Sequence, residues 1–207
     1  MGKLRILVAC EESQVVTIAF RKRGHEAYSC DILDCSGGHP EWHIKADIRT
    51  LLNEYFDLVI FHPECTFLSN SGVQWLGKEK GRWQKMLDAC EFFNLRHQFN
   101  SPCIATENPI PHKHARDRIG RYDQIIQPYQ FGDPYTKRTC LWLKNLPLLF
   151  PTQIVNIGKR YIGKDGKSNG SEWYQLMPVK DRSKLRSKTF PGIAKQMAAQ
   201  WSEDLTV

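Results

Sequence analysis

The run Leu4-Arg5-Ile6-Leu7-Val8-Ala9 leads directly into Cys10-Glu11-Glu12-Ser13, and residues 13 to 23 then place Val16, Ala19 and Phe20 on one helical face before Gly24. A short apolar run rich in β-formers reads as a buried strand. With the polar turn and the helical period behind it, it makes a strand–turn–helix unit. The alternation recurs along the chain. Ala27-Tyr28-Ser29-Cys30 reads as a second strand that stops at Asp31, and Asp57-Leu58-Val59-Ile60-Phe61 as a buried strand stopped by Pro63. Residues 34 to 43, with Gly37-Gly38 and Pro40, read as loop. Trp83, Met86, Leu87, Cys90 and Phe93 sit at helical spacing within residues 79 to 98. Pro102-Cys103-Ile104-Ala105-Thr106 is the next strand, ahead of Glu107-Asn108-Pro109. Thr139 to Leu143 is a late strand, and Ile193, Ala194, Met197, Ala198 and Trp201 mark a closing amphipathic helix. Strands alternating with helices predict an α/β fold with a mainly parallel sheet and helices on both faces.

A chain of 207 residues fits one domain, and 41% apolar with 25% charged residues excludes a disordered protein. No apolar run reaches the roughly 20 residues a membrane helix needs. The start of the chain carries no signal-peptide pattern, so a cytoplasmic protein is expected. Seven cysteines, scattered from Cys10 to Cys140, suit free thiols in a reducing compartment rather than a disulfide framework. The net charge of +7 is uneven: residues 136 to 188 hold twelve Lys/Arg against three acidic residues, while the remainder holds 17 basic against 19 acidic. Such a block is what a polyanion-binding surface requires, and it is also what a solvated loop can look like. Residues 156 to 172, rich in Gly and Lys, read as a loop or β-hairpin.

In a parallel sheet, ligands bind beyond the carboxyl ends of the strands. Cys10-Glu11-Glu12-Ser13, Asp31, His62-Pro63-Glu64-Cys65 and Glu107-Asn108-Pro109 all fall there. Cys65, just past a strand in a Pro-bounded turn, is the candidate nucleophile, whereas Cys90 and Cys103 lie inside elements and read as packing. Cys30, Cys35, His39 and His43 touch a zinc-like spacing, but their middle segment is short, and no metal is assigned. Trp75, Trp83 and Trp142 read as core or helix-packing groups. Trp173 and Tyr174, inside the basic segment, are candidate base-stacking groups.

The order strand, acidic residue, Asp-Ile, Pro-x-Cys, Glu-Asn-Pro, basic strand and closing helix resembles the cytosine-5 DNA methyltransferases. It is similar above all to their short, phage-encoded members without a large target-recognition domain. Leu7-Val8-Ala9-Cys10-Glu11, Ser69-Asn70-Ser71-Gly72, Gln127-Pro128-Tyr129-Gln130-Phe131-Gly132, Thr139-Cys140-Leu141-Trp142-Leu143-Lys144 and Thr189-Phe190-Pro191-Gly192-Ile193-Ala194 carry the likeness over nearly the whole chain. The resemblance implies a Rossmann-like S-adenosylmethionine-dependent methyltransferase fold in a single domain, residues 1–207, with a basic insertion at about 144–188 in place of the recognition domain. If the chain is phage-encoded, the host bacterial cytoplasm is the implied location.

The resemblance also implies roles. Cys10, Glu11, Glu12 and Ser13 would face the methionine part of the cofactor. Asp31, followed by Ile32, would hold the ribose hydroxyls, and Asp47 with Ile48 the adenine. His62 and Pro63 would complete that site. Cys65 would add to C6 of a cytosine, Glu107 would bind its N3 edge, and Arg138 would help hold the ring. Lys137, Lys159, Arg160, Lys164, Trp173, Tyr174, Lys184 and Arg186 would contact DNA. Such chemistry wants a thiol of lowered pKa opposite a carboxyl of raised pKa, because thiolate addition at C6 makes C5 nucleophilic while a proton at N3 stabilises the adduct.

The chain departs from the family's pattern at Glu64, where proline is usual, at the glutamates of the first turn, and at Pro109. Two alternatives stay open. One is a degenerate methyltransferase fold that binds nucleic acid or nucleotide as a regulator. The other is a methylase of free pyrimidine nucleotides.

Overall fold

Strand β1 (Arg5–Ala9) is buried from Ile6 onward and lies between β2 (Glu26–Asp31) and β4 (Leu58–Phe61), parallel to both. The computed structural model describes residues 2–162, 166, 168–171, 180 and 182–205, with the backbone course alone for 168–171, 182–184 and 204. β3 (His43–Lys45) extends the sheet beyond β2, and β5 (Cys103–Pro109) extends it beyond β4, both in parallel. β7 (Thr139–Lys144) then runs antiparallel to β5, and β6 (Gln124–Ile126) closes the edge antiparallel to β7. The order is therefore β3-β2-β1-β4-β5-β7-β6, and β1 next to β4 is the point where the chain changes its direction of winding. β8 (Arg160–Ile162) and β9 (Ser168–Ser171) form a separate antiparallel pair.

Alternation in the buried strands divides the core. Ile6, Val8, Leu58, Ile60, Ala105 and Leu141 face α1 (Val15–Arg21) and α5 (Pro191–Asp204), which bring Val16, Phe20, Met197 and Trp201. Leu7, Ala9, Val59, Phe61 and Ile104 face the other way, onto Ile48, Phe56 and Phe99. On that side α2 (Arg82–Asn94) and α3 (Lys113–Ile119) pack Met86, Phe93, Ala115 and Ile119 against Cys140 and Trp142. Between α3 and α5 in the chain lies α4 (Arg182–Ser187). The closing helix thus packs beside α1. Among the described residues no helix is long and apolar enough to cross a membrane.

Glu107-Asn108-Pro109 belongs to β5 itself, paired with Leu141, Cys140 and Thr139, rather than to a loop after it. β3, β6, α3 and α4 are additions to the sequence reading. The two strands have three residues each, too few to show a period. α3 is seven residues long and is capped by His112, whose Nδ1 accepts the Ala115 N–H at 3.2 Å.

The approach of α5 to the sheet depends on one missing side chain. Gly192 donates its N–H to the Asp133 carboxylate at 2.8 Å, and a Cβ there would meet that carboxylate at 2.6 Å and also the Phe131 carbonyl oxygen. Backbone cannot yield as a flexible side chain does. Gly192→Ala should therefore lower stability by about 1–3 kcal/mol, read as a reduced urea midpoint at unchanged slope.

Candidate active site

The register aligns Ala9, Cys30, Phe61 and Thr106 in one row across four strands. The residues that follow them are Cys10, Asp31, His62 and Glu107. Four chemically distinct side chains thus leave the sheet at one level, around its switch point. Beside them opens a crevice of about 620 Å³ that reaches from the turn after β1 to Thr189, just ahead of α5.

The turn after β1 is built without glycine. Cys10 and Gln14 both hold φ of 59°, in the left-handed region that L-residues rarely adopt. Three contacts hold the turn. The Glu11 carboxylate accepts the Val16 N–H at 2.6 Å, the Thr17 N–H at 3.2 Å and the Thr17 hydroxyl at 2.8 Å, so it caps α1. Burial pushes its pKa up, while the His62 charge and these donors oppose the rise. Buried Gln14 donates to the His39 carbonyl at 2.8 Å and accepts the His39 N–H at 3.1 Å. Gly37 lies so close that a Cβ on it would meet Gln14 Cβ at 2.5 Å. Ser13 is buried beside them. Glu11 therefore serves the helix, and Glu12 is the carboxylate left to the crevice. Both Glu12 oxygens are buried, with no hydrogen-bond partner among the described residues.

The far wall is made from the ends of β2 and β3. Asp31 accepts the Leu33 N–H through Oδ1 at 2.9 Å, and Ile32 stands 69% exposed at the rim. Asp47 takes the Arg49 N–H at 2.9 Å and the Arg49 guanidinium at 2.8 Å, and these hydrogen bonds hold its carboxyl below the usual range. Ile48 is buried and joins the core to the crevice. On the floor, burial and then the Asp31 charge push the Cys10 thiol far up, so it is a neutral lining group.

Past β4, His62 Nδ1 lies 2.9 Å from Glu107 Oε2, and both side chains are 12% exposed. His62 Nε2 is buried and unpartnered among the described residues. Pro63 is buried, Glu64 is exposed, and Cys65 is half-buried outside all three apolar clusters. Glu64 and Phe67, which bracket Cys65 in the chain, line the crevice. Burial raises the Cys65 pKa, Glu107 raises it further, and Lys137 pulls it down. Burial also pushes Glu107 up, but the His62 hydrogen bond and the Lys137 and His62 charges outweigh it, leaving its pKa below the ordinary carboxylate value. The sequence-based expectation of a raised carboxyl and a lowered thiol is thus reversed in the free protein. Burial and the Glu107 charge favour the neutral thiol, while the His62 hydrogen bond, with Lys137, favours the carboxylate.

Lys137 is the basic group that acts on both Cys65 and Glu107. Its Nζ donates to the Arg186 carbonyl at 2.9 Å and lies 5.9 Å from the Phe190 ring centre. Arg138, the residue singled out from the sequence, is exposed. Strand alternation explains the difference. Glu107 pairs with Leu141, and stepping back by twos from Leu141 reaches Thr139 and Lys137, with Arg138 on the opposite side.

Of the other candidate DNA contacts, Lys159 and Arg160 are exposed, and Arg186 is half-buried. Lys164, Trp173, Tyr174 and the side chain of Lys184 lie outside the described residues. Trp75 and Trp83 are 43% and 42% exposed, so they are surface groups rather than core. Among the described residues no three His, Cys, Asp or Glu side chains gather to hold a metal. Cys30 donates to the Ala46 carbonyl, and His43 is held between Ser29 Oγ at 2.8 Å and the Leu33 carbonyl at 2.9 Å.

No family model and no curated protein sequence matches this chain. Solved structures do. A protein described as a DNA modification methyltransferase encoded within a prophage (E. coli) is 14% identical, with a TM-score of 0.50 over 74% of this chain and 52% of that one. Entamoeba histolytica methyltransferase EhMeth is 14% identical, with a TM-score of 0.48 over 77% and 58% of the two chains. S. pombe Dnmt2 methyltransferase is 18% identical, with a TM-score of 0.45 over 71% and 51%. The first likeness, with the sheet order described above, shows that the fold is the Rossmann-like fold of S-adenosylmethionine-dependent methyltransferases. The chain spans about half the length of these structures.

Proposed function

We propose that the protein transfers a methyl group from S-adenosylmethionine to C5 of a cytosine in DNA through a covalent adduct on Cys65. The observation that supports this reading is the arrangement at the switch point, where His62 holds Glu107 at 2.9 Å and Glu64 and Phe67, on either side of Cys65, line the crevice. On the same reading, the basic segment of about 144–188 takes the place of a separate recognition domain within one domain spanning the chain.

The crevice residues fit the cofactor. Asp31, at the carboxyl end of β2, has the chemistry to accept ribose hydroxyls, and exposed Ile32 and buried Ile48 offer apolar surface to adenine. Glu12 supports the reading most directly. A buried carboxylate without donors is costly, and the ammonium of the methionine part is a cation that would satisfy it. The bound cofactor supplies an electrophilic methyl group.

The chain's own residues supply the rest. Cys65 sulfur bonds to C6, and the C5–C6 electron pair moves toward C5. N3 gains a proton from Glu107, and Cys65 releases one. The proton count therefore balances if Glu107 takes the thiol's proton and passes it to N3. His62 holds Glu107 through Oε2 and leaves the other oxygen for the base. Lys137 steadies whichever of the two groups is negative. After methylation C5 gives up its hydrogen as a proton to water, and the C–H electron pair restores the C5–C6 double bond. The C–S pair leaves with the sulfur, and N3 returns its proton through Glu107 to the thiolate.

Glu12→Gln should weaken S-adenosylmethionine binding by roughly tenfold or more in calorimetry, because a neutral amide cannot pair with the ammonium as a carboxylate does. Transfer of radiolabelled methyl groups to single-stranded DNA, duplex DNA and dCTP tests the function as a whole. Label in C5-methylcytosine within DNA supports the proposal. Label on dCTP alone reassigns the protein to free nucleotides. Cofactor binding with no acceptor labelled would assign it a regulatory role.

A further inference from the structure

Two stretches 30 residues apart in the chain meet on the surface next to Cys65. The first runs from the turn after Cys65 into α2, and the second is α3. Trp83 of α2 lies 5.2 Å from the His114 ring of α3, and the Arg118 guanidinium lies 5.9 Å from the Trp83 ring centre. Lys78 Nζ lies 5.6 Å from the ring centre of Trp75. Residues 78–85 and 113–118 together carry seven Lys/Arg against Glu79 and Asp117. Of the seven, Lys78, Lys80, Lys85, Lys113, Arg116 and Arg118 are exposed. Glu79 is partly neutralised by Arg82 at 2.6 Å.

This surface is tied to the turn that carries Cys65. The His112 Nε2 atom, 3.0 Å from the Phe67 carbonyl oxygen, can donate to it, and the Asn70 N–H reaches the Ile110 carbonyl at 2.9 Å. Arg82 lies over the Phe67 ring at 5.1 Å. These contacts join the surface to the turn that carries the thiol.

Both indoles are more than two-fifths exposed, at 43% and 42%, and each has a cation close by. We infer that Trp75, Trp83 and His114, with Lys78, Lys80, Lys113, Arg116 and Arg118, form a docking platform for an unpaired polynucleotide strand. The cations follow the phosphates, and the indoles stack bases that flank the one presented to Cys65. The fit is to a single strand because unstacked bases expose both faces, whereas a duplex buries them. The inference rests on the methyl-transfer reading for its purpose, but its physical content is binding.

The test uses the full chain and fluorescein-labelled 16-mers of one sequence: single-stranded DNA, single-stranded RNA and duplex DNA, followed by anisotropy from low to moderate salt. The wild type should bind the single strands more tightly than the duplex. Trp75→Ala/Trp83→Ala should lose roughly tenfold or more in single-strand affinity. Lys80→Glu/Arg116→Glu should weaken binding and flatten its salt dependence, as expected when phosphate contacts are lost. Both variants should keep wild-type S-adenosylmethionine binding, because none of these residues lines the crevice. Unchanged strand affinity in both variants, tighter binding of the duplex, or no binding of any strand by the wild type overturns the platform. Methyl transfer to DNA that survives such a result leaves the methyl-transfer reading standing. Strand binding without cofactor binding would instead sink that reading and leave the platform. The DNA and RNA arms identify which strand is preferred.

Discussion

Cys65→Ala should lose methyl transfer by at least roughly 10³-fold while keeping wild-type binding of S-adenosylmethionine. Without the sulfur, C5 of cytosine remains a poor nucleophile, and no neighbouring residue offers the same electron pair. The side chain belongs to none of the apolar clusters, so its truncation leaves the fold intact. The pH dependence has a definite sign. Burial and Glu107 hold the Cys65 pKa above the ordinary thiol value, so alkylation of Cys65 in the free protein should be slow at neutral pH and quicken through the alkaline range. Iodoacetamide labelling followed by peptide mapping reads this directly. Cys10, Cys30 and Cys140, whose pKa values are also raised, chiefly by burial, should label more slowly still.

Glu107→Gln should separate two quantities that a folding defect would lower together. Turnover should fall by roughly 10²- to 10⁴-fold, the range for losing a positioned acid–base group. Cys65 should become easier to alkylate at a given pH, because the negative charge that opposes its ionisation is gone. Lys137→Met is the mirror case. It removes the charge that favours both anions, so Cys65 should label more slowly and turnover should fall as well. Initial rates of methyl transfer and pH–alkylation profiles on the same preparations give both readings. A loss of turnover in Glu107→Gln with slower alkylation would show that the two groups do not share a site.

Much of this was legible in the chain. Continuous apolar runs such as Leu58 to Phe61 can be little but central parallel strands, and the polar residues that follow them had to lie on one edge of the sheet. The closing helix was visible from its Ile193, Met197 and Trp201 spacing. The edge strands β3 and β6 were not, because three residues show no period and their pairing is decided by neighbours distant in the chain.

At the site, types of residue were legible and directions were not. Glu11 and Glu12 are adjacent, chemically identical and both at the crevice, yet Glu11 is spent on capping α1 while both Glu12 oxygens lack partners among the described residues. Lys137 and Arg138 were separable only through the register of β7 against β5. The pKa pattern of Cys65 and Glu107 needed the positions of His62 and Lys137, which no spacing encodes. Trp83 sits at helical spacing with core residues and Trp75 lies ahead of that helix, so both read as packing groups, yet both are exposed. The basic surface around them is split between two stretches that look unexceptional apart.

The account turns on a bond between Cys65 and a pyrimidine. A DNA strand carrying 5-fluorocytosine, incubated with the protein and S-adenosylmethionine, cannot lose fluorine from C5 and should leave the enzyme attached. Mass spectrometry of the digested complex should find the methylated base on the peptide that contains Cys65, and nothing there when S-adenosylmethionine is left out. A strand that is methylated yet never captured, or one captured through any other cysteine, would contradict the account.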